Sequence, residues 1–263
     1  MRSGAGGFRL DLKDCVEATD ALLRILASVS SRAELACFME AVTQEFGFQH
    51  FALIDHDDLR GQPPGRVDIR RYPAAACERI IEQATWRRDP IIRGCIFAPT
   101  AFLWSRLPSI IQFDRRDRDC MEQGLREGLN EGISVPYITF GACMGSCTFA
   151  GTRCPERAAR MIGMVQVVGT FAFQAAKRMI GAVPAPAARP RLHPRPRDCI
   201  VLAGRGLSNK EIARALGLTP RTVDGYLTEA RYLFDAHDRT ELVVAAVLAG
   251  EIGLHELRVA QPG

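Results

Sequence analysis

Between residues 183 and 197 the chain carries five prolines in fifteen positions. Each proline fixes φ and removes a backbone donor, so no continuous helix can cross this stretch, and a stiff extended spacer is expected. The segment divides the 263-residue chain into a domain over 1–182, a linker over 183–191 and a domain over 192–263. Two domains also suit the length, because a domain averages about 150 residues. Hydrophobic residues at 47% and charged residues at 24% sit at globular averages, which excludes wholesale disorder and a long coiled coil. The longest apolar stretch, residues 161–176, is broken by Gln166 and Gly169 and is shorter than the ~20 residues of a membrane span. The opening MRSGAGGFRLDLKD has no apolar signal core, so a cytoplasmic protein without a membrane partner is expected.

Nine scattered cysteines form a poor disulfide framework and read as ordinary buried thiols. The tightest group, Cys143, Cys147 and Cys154, lacks the CxxC spacing or neighbouring histidine of a metal site. The five histidines make no ligand-like pair, and His56-Asp57-Asp58 reads as a polar turn after a strand. Neither a metal nor a cofactor is expected. GxSxG, GxxxxGK[ST] and HExxH motifs are absent, as is a Cys–His pair close in sequence. An enzyme with an appended second domain therefore stands only as the outlying alternative.

In the first domain, residues 15–29 and 32–46 have helical apolar spacing, with Leu22, Leu23, Ile25 and Leu26 as one stripe. Residues 50–55 and 66–72 read as partnered strands, and Pro73 opens a helix through Cys77, Ile80, Ile81 and Ala84. A charged helix over 114–128 follows, then strands over 132–139 and 142–150 joined by Phe140-Gly141, then a long apolar helix over 155–180. Helices, strands and helices in that order predict an α/β sandwich: an antiparallel central sheet flanked by helices, able to enclose a ligand cavity.

The second domain reads as four short helices. Residues 195–203 form the first. Ser208-Asn-Lys-Glu211 is a capping box that opens the second, which buries Ile212, Ala213 and Leu216 and stops at Gly217. Thr219-Pro220 supplies an N-cap and a first-turn proline for the third. That helix puts Val223, Leu227, Ala230 and Phe234 on one face and Arg221, Asp224, Gly225 and Thr228 on the other. Asp238-Arg-Thr-Glu241 opens a fourth, ending at Gly250, whose Val243, Val244 and Val247 offer apolar surface for a homodimer. Two helices joined by a tight glycine turn make a helix-turn-helix, the second helix entering the major groove of double-stranded DNA. From residue 189 to 221 eight basic residues (Arg189, Arg191, Arg195, Arg197, Arg205, Lys210, Arg214, Arg221) face two acidic ones, a local net of +6 against +4 for the chain. A local basic block is the footprint of a polyanion surface. Lys210 and Arg214 suit phosphates, Thr219 and Thr222 stand at the amide-bearing helix start, and Arg221 suits guanine edges or phosphate. A two-fold dimer would match an inverted repeat.

The run Gly206-Leu-Ser-Asn-Lys-Glu-Ile-Ala-Arg-Ala-Leu-Gly-Leu-Thr-Pro-Arg-Thr-Val223, with the later Arg239, resembles the LuxR family of bacterial transcriptional regulators. Pro196 and Tyr226 stand where that family usually has glutamate and histidine. Upstream, Tyr72-Pro73, Asp89-Pro90, Trp104 and Glu127-Gly-Leu-Asn-Glu-Gly-Ile-Ser-Val-Pro136 resemble the autoinducer-binding domain of the quorum-sensing members. The resemblance implies that Asp89 accepts the amide N–H of an acyl-homoserine lactone, with Tyr72 in the same pocket. It also implies that Trp104 is a wall of the head-group pocket, Gly132 a close-approach position and Thr148 a polar strand residue facing the ligand. The family's tryptophan and tyrosine donors fall on Ala76 and Ile80. Each lost donor is worth ~1–3 kcal/mol if a ligand carbonyl is left buried and unpaired, and a methyl in place of an indole is expected to open space. The expected function is a DNA-binding regulator sensing a small molecule, an acyl-homoserine lactone or another amide-bearing or aromatic signal, with the missing donors pointing away from an ordinary lactone. A LuxR-type regulator that needs no ligand, its cavity filled by its own side chains, is the alternative within the class.

Overall fold

The computed structural model describes residues 12–56, 65–82, 85–138, 144–152, 154–181 and 190–258. Their contacts separate into two compact units on either side of residues 183 and 184. Asp57, Asp58, Ala84, Phe140-Gly141, Cys143, Arg189 and most of the expected linker lie outside the described residues.

The first unit is built on strands β1 (His50–Asp55), β2 (Asp68–Arg71), β3 (Phe102–Leu103), β4 (Gly132–Tyr137) and β5 (Gly145–Ala150). They pair antiparallel throughout in the order β2-β1-β5-β4-β3. The central strand β5 is buried at all six positions, as a strand covered on both faces must be. On one face Phe51, Leu53, Ile133, Val135, Cys147 and Phe149 join the core beneath α1 (Leu12–Ser28), α2 (Arg32–Glu45) and α6 (Pro155–Met179). The period of two sends Ala52, Ile54, Ser134, Ser146 and Thr148 to the other face. There α3 (Ala74–Cys77), α4 (Pro90–Phe97) and α5 (Arg115–Arg126) carry a second core around Ala76, Cys95, Phe102, Trp104 and Leu107. This is the sandwich expected from the element order.

Two local readings change. The helix opened by Pro73 is only four residues of α-helix before it widens into a π turn over Glu78–Glu82. On α1, Leu26 is buried and Leu22 and Leu23 pack beside it, but Ile25 is half exposed. At 100° per residue Ile25 falls well off the direction that the other three share. The close of α6 is tied down by charge: Lys177 Nζ lies 2.7 Å from the carboxylate of Asp55, which also accepts from the Val67 amide at 2.9 Å.

Among its described residues the second unit has four α-helices, α7 (Pro194–Gly204), α8 (Asn209–Leu216), α9 (Pro220–Phe234) and α10 (Arg239–Leu248), plus a 3₁₀ turn at Leu254–Leu257 that the sequence did not disclose. Ser208 and Glu211 form a reciprocal capping box, Gly217 closes α8 at φ +66°, and Thr219 and Asp238 cap α9 and α10. Gly217 needs that left-handed conformation, which a side chain would strain. On α10 the expected apolar excess is redistributed: Val247 is in the core, Val243 packs against it, and Val244 and Leu248 are each 50% exposed. Among the described residues no helix is long and apolar enough to cross a membrane.

Candidate functional site: a cavity beneath the sheet and a helix-turn-helix

Between the sheet and α3–α5 lies a cavity of about 70 Å³. Five of the seven expected residues line it: Tyr72, Ile80, Asp89, Trp104 and Thr148. Ala76 does not, because it is fully buried in the apolar core behind that wall. Gly132 is also behind the wall. A Cβ there would stand 2.7 Å from both Trp104 Cε2 and the Phe149 carbonyl, so the close approach it permits is that of Trp104 to β4.

Asp89 has two jobs in one side chain. It caps α4, Oδ1 accepting from the Ile91 amide at 2.8 Å and the Ile92 amide at 3.3 Å. It is also 6% exposed and part of the cavity wall. Burial raises its pKa above the ordinary carboxylate value, against the lowering effect of the two amides and of Arg79. A carboxyl whose folded pKa is raised binds its proton more tightly in the folded state, so its contribution to stability is lost as pH rises from the unfolded value through the folded one. Asp89→Asn keeps a capping oxygen and is expected to gain stability relative to wild type as pH rises from 3 to 7. Melting curves of the two proteins across that range, converging at the acid end, check this.

Trp104 is 3% exposed, and its Nε1 donates to Ser134 Oγ at 3.0 Å. Ser134 Oγ in turn lies 2.9 Å from Thr148 Oγ1. The indole is therefore a held wall whose N–H is already used. Burial raises the Tyr72 phenol as well, keeping it protonated, and its ring meets His50 edge-on at 6.4 Å between centroids.

The sequence reading missed other polar members of this wall. Arg79 faces the cavity and grips Glu127, with Nε 2.9 Å from Oε1 and Nη2 2.7 Å from Oε2. Its position three residues after Ala76 placed it one helical turn from an expected pocket residue, the signal that was available. His56 and Ser146 line the sheet side, joined at 2.8 Å. The period of two that marks β1 and β5 would have found both. Burial pushes the nearby thiols up, Cys95 to about 12 and Cys120 to about 11, so neither is a nucleophile at neutral pH.

In the second unit Lys210, Arg214, Thr219, Arg221, Asp224 and Gly225 are exposed, while Thr222 and Thr228 are half-buried. Thr219 Oγ1 accepts from the Thr222 amide at 3.1 Å, and Thr228 Oγ1 accepts from Arg231 Nη2 at 3.2 Å. Asp224 accepts from Asn209 Nδ2 at 3.2 Å, Asn209 Oδ1 accepts from Arg239 Nη1 at 2.9 Å, and Arg239 Nη2 donates to the Leu207 carbonyl. This chain of bonds sets the start of α8 against α9 and α10. One charge of the basic block is neutralised locally, because Arg197 pairs with Glu256 at 2.7 Å, while the exposed Arg205 keeps its charge and donates to the Glu256 carbonyl. Arg191, Arg195, Lys210, Arg214 and Arg221 remain exposed.

Residues 31–176 match the family model of the autoinducer binding domain, and residues 191–246 match that of bacterial regulatory proteins of the luxR family. The transcriptional activator protein AnoR of Acinetobacter nosocomialis is 24% identical over 233 residues, 87% of this chain and 96% of its own. The transcriptional activator protein BjaR1 of Bradyrhizobium diazoefficiens is 24% identical over 209 residues, 80% of this chain and 85% of its own. Among solved structures, Escherichia coli SdiA has this fold at a TM-score of 0.55 and 17% identity, covering 90% of this chain and 99% of SdiA. SdiA in complex with octanoyl-rac-glycerol matches at a TM-score of 0.55 and 16% identity, over 95% and 97% of the two chains. The chain thus belongs to the LuxR family of transcriptional regulators, a family of DNA-binding proteins rather than enzymes, and joins an autoinducer-binding domain to a LuxR-type helix-turn-helix.

Proposed function

We propose that residues 1–182 sense a compact, donor-bearing small molecule other than an ordinary acyl-homoserine lactone, and that residues 192–263 carry the response to DNA through the linker at 183–191. The observation that carries this reading is Asp89, a buried carboxylate in the cavity wall whose helix-capping bonds both fall on Oδ1. A ligand N–H or O–H that reached the carboxylate would offset the cost of burying it. Ala76 and Ile80 supply no donor for a lactone carbonyl. A cavity of about 70 Å³ is also far below the ~300–1,000 Å³ of ordinary ligand pockets, so a long acyl chain, and equally an aryl amide of similar size, requires the wall to move. The π turn carrying Ile80 is the local irregularity through which that wall can shift, since such turns recur at functional sites. SdiA in complex with octanoyl-rac-glycerol supports a non-lactone ligand in this fold. The same small cavity favours a second reading, a regulator that works without a ligand.

On the DNA side the proposal is a cytoplasmic homodimer on an inverted repeat. The exposed Val244 and Leu248 of α10 supply apolar surface for a two-fold contact. Lys210, Arg214 and the start of α9 at Thr219 and Thr222 address phosphates, and Arg221, Asp224, Gly225 and Thr228 face the bases. Arg221→Ala is expected to change the base preference recovered from a random duplex pool. Lys210→Ala is expected to weaken all duplexes alike and to lower the slope of log affinity against log salt by about 1. Mobility-shift titrations of the full-length protein check both, and recovery of no enriched sequence would sink the DNA reading.

A further inference from the structure

On β1 the cavity face is Ala52, Ile54 and then His56 just beyond the strand end, and on β5 it is Ser146 and Thr148. The register pairs Ala52 with Thr148 and Ile54 with Ser146. His56 donates its backbone N–H to the Met144 carbonyl at 2.7 Å, so the ladder continues through it and fixes where its ring departs. Thr148 is engaged by the Ser134–Trp104 chain, whereas Ser146, 6% exposed, meets His56 Nε2 at 2.8 Å. The surroundings are otherwise apolar, with Ala52, Ile54, Ile80, Ile91 and Leu129 on the same cavity. A hydroxyl can make three hydrogen bonds, one as donor and two as acceptor. At Ser146 the imidazole takes one of these, and the hydroxyl retains capacity for a ligand group.

This polar pair lies on the sheet wall, while Asp89 and Arg79 lie on the helix wall opposite. An apolar pocket with a few convergent polar groups fixes the orientation of its ligand through those groups. We infer that His56 and Ser146 form a second recognition position, which takes a hydroxyl or carbonyl on the part of the ligand that faces the sheet. The ligand class is then a compact amide with a second polar group, such as a hydroxyl on an aromatic ring, rather than an amide with a purely apolar tail. This rests on the ligand-binding reading of the cavity above.

The test uses full-length protein and four probes: benzanilide and its three isomers with one hydroxyl on the benzoyl ring. In isothermal titration, at least one hydroxylated isomer is expected to bind wild type about tenfold more tightly than benzanilide, the scale of one buried hydrogen bond. Ser146→Ala and His56→Phe are expected to erase that preference while still binding benzanilide. His56→Gln, which keeps a donor and an acceptor, is expected to retain part of it and guards against a general folding defect. Asp89→Asn is expected to weaken benzanilide and its isomers equally, leaving the hydroxyl preference intact. Equal binding of all four probes to wild type would overturn the second position and leave the role of Asp89 standing. A preference that survives in Ser146→Ala would overturn it too. Unchanged affinity of every probe for Asp89→Asn would contradict the reading of the cavity itself, and no binding of any probe at millimolar concentration would contradict both.

Discussion

Lys177→Met is expected to lower the unfolding free energy of the first unit by about 3–5 kcal/mol, because it leaves the Asp55 carboxylate buried without its cation. Asp55 and Lys177 side chains are 1% and 10% exposed, so water replaces little of the lost interaction. The cost comes from orphaning one charge rather than from the strength of the pair. Asp55→Asn combined with Lys177→Met is therefore expected to recover most of the loss, since asparagine can still accept from the Val67 amide and no charge is stranded. Urea denaturation followed by tryptophan emission measures this cleanly, because Trp86 and Trp104 both lie in the first unit. A loss below about 1 kcal/mol for the single variant would show that the pair is solvated in solution, as exposed ion pairs are.

Ala76→Trp, which returns the family's usual residue to its position, is expected to destabilise the first unit by about 1–3 kcal/mol or more without creating lactone affinity, because overpacking a filled core forces its neighbours off their rotamers. Ala76 is 0% exposed and packed in the cluster with Cys95, Phe102, Trp104 and Leu107. An indole there would enter a packed core rather than the described cavity. The same urea experiment, with titration of N-octanoyl-homoserine lactone into the variant, gives the answer. A stable variant that gains affinity for the lactone would show that the methyl does front the ligand space.

How far the sequence could be read depended on how local each determinant is. The boundaries of α8, α9 and α10 follow from Ser208, Gly217, Thr219 and Asp238, whose capping chemistry is complete within three or four residues. Strand β1 was legible for a similar reason, since a short apolar run bounded by polar residues is a property of its own six residues. The site's electrostatics were not legible, because its partners are far apart in the chain. Arg79 and Glu127 are 48 residues apart, His56 and Ser146 90, and Lys177 and Asp55 122. Arg197 and Arg205 both counted in the basic block, yet Glu256, 59 and 51 residues on, neutralises the first with its carboxylate and holds the second by its carbonyl. Volume was equally hidden. A small residue at position 76 suggested open space, and only the packing of α3 against the second core decides that its neighbours close it.

The central claim is that Asp89 receives a ligand donor in a pocket that no longer suits an ordinary acyl-homoserine lactone. The most direct measurement is the melting temperature of wild type and Asp89→Asn against concentration of N-octanoyl-homoserine lactone. A ligand bound only by the folded state adds about 2.7 kcal/mol at a hundred times its dissociation constant, so true binding is hard to miss. The account predicts no shift in either protein at micromolar lactone. A strong shift of wild type at micromolar concentration that is lost in Asp89→Asn would contradict it, because the lactone would then be read in full without the donors missing at Ala76 and Ile80.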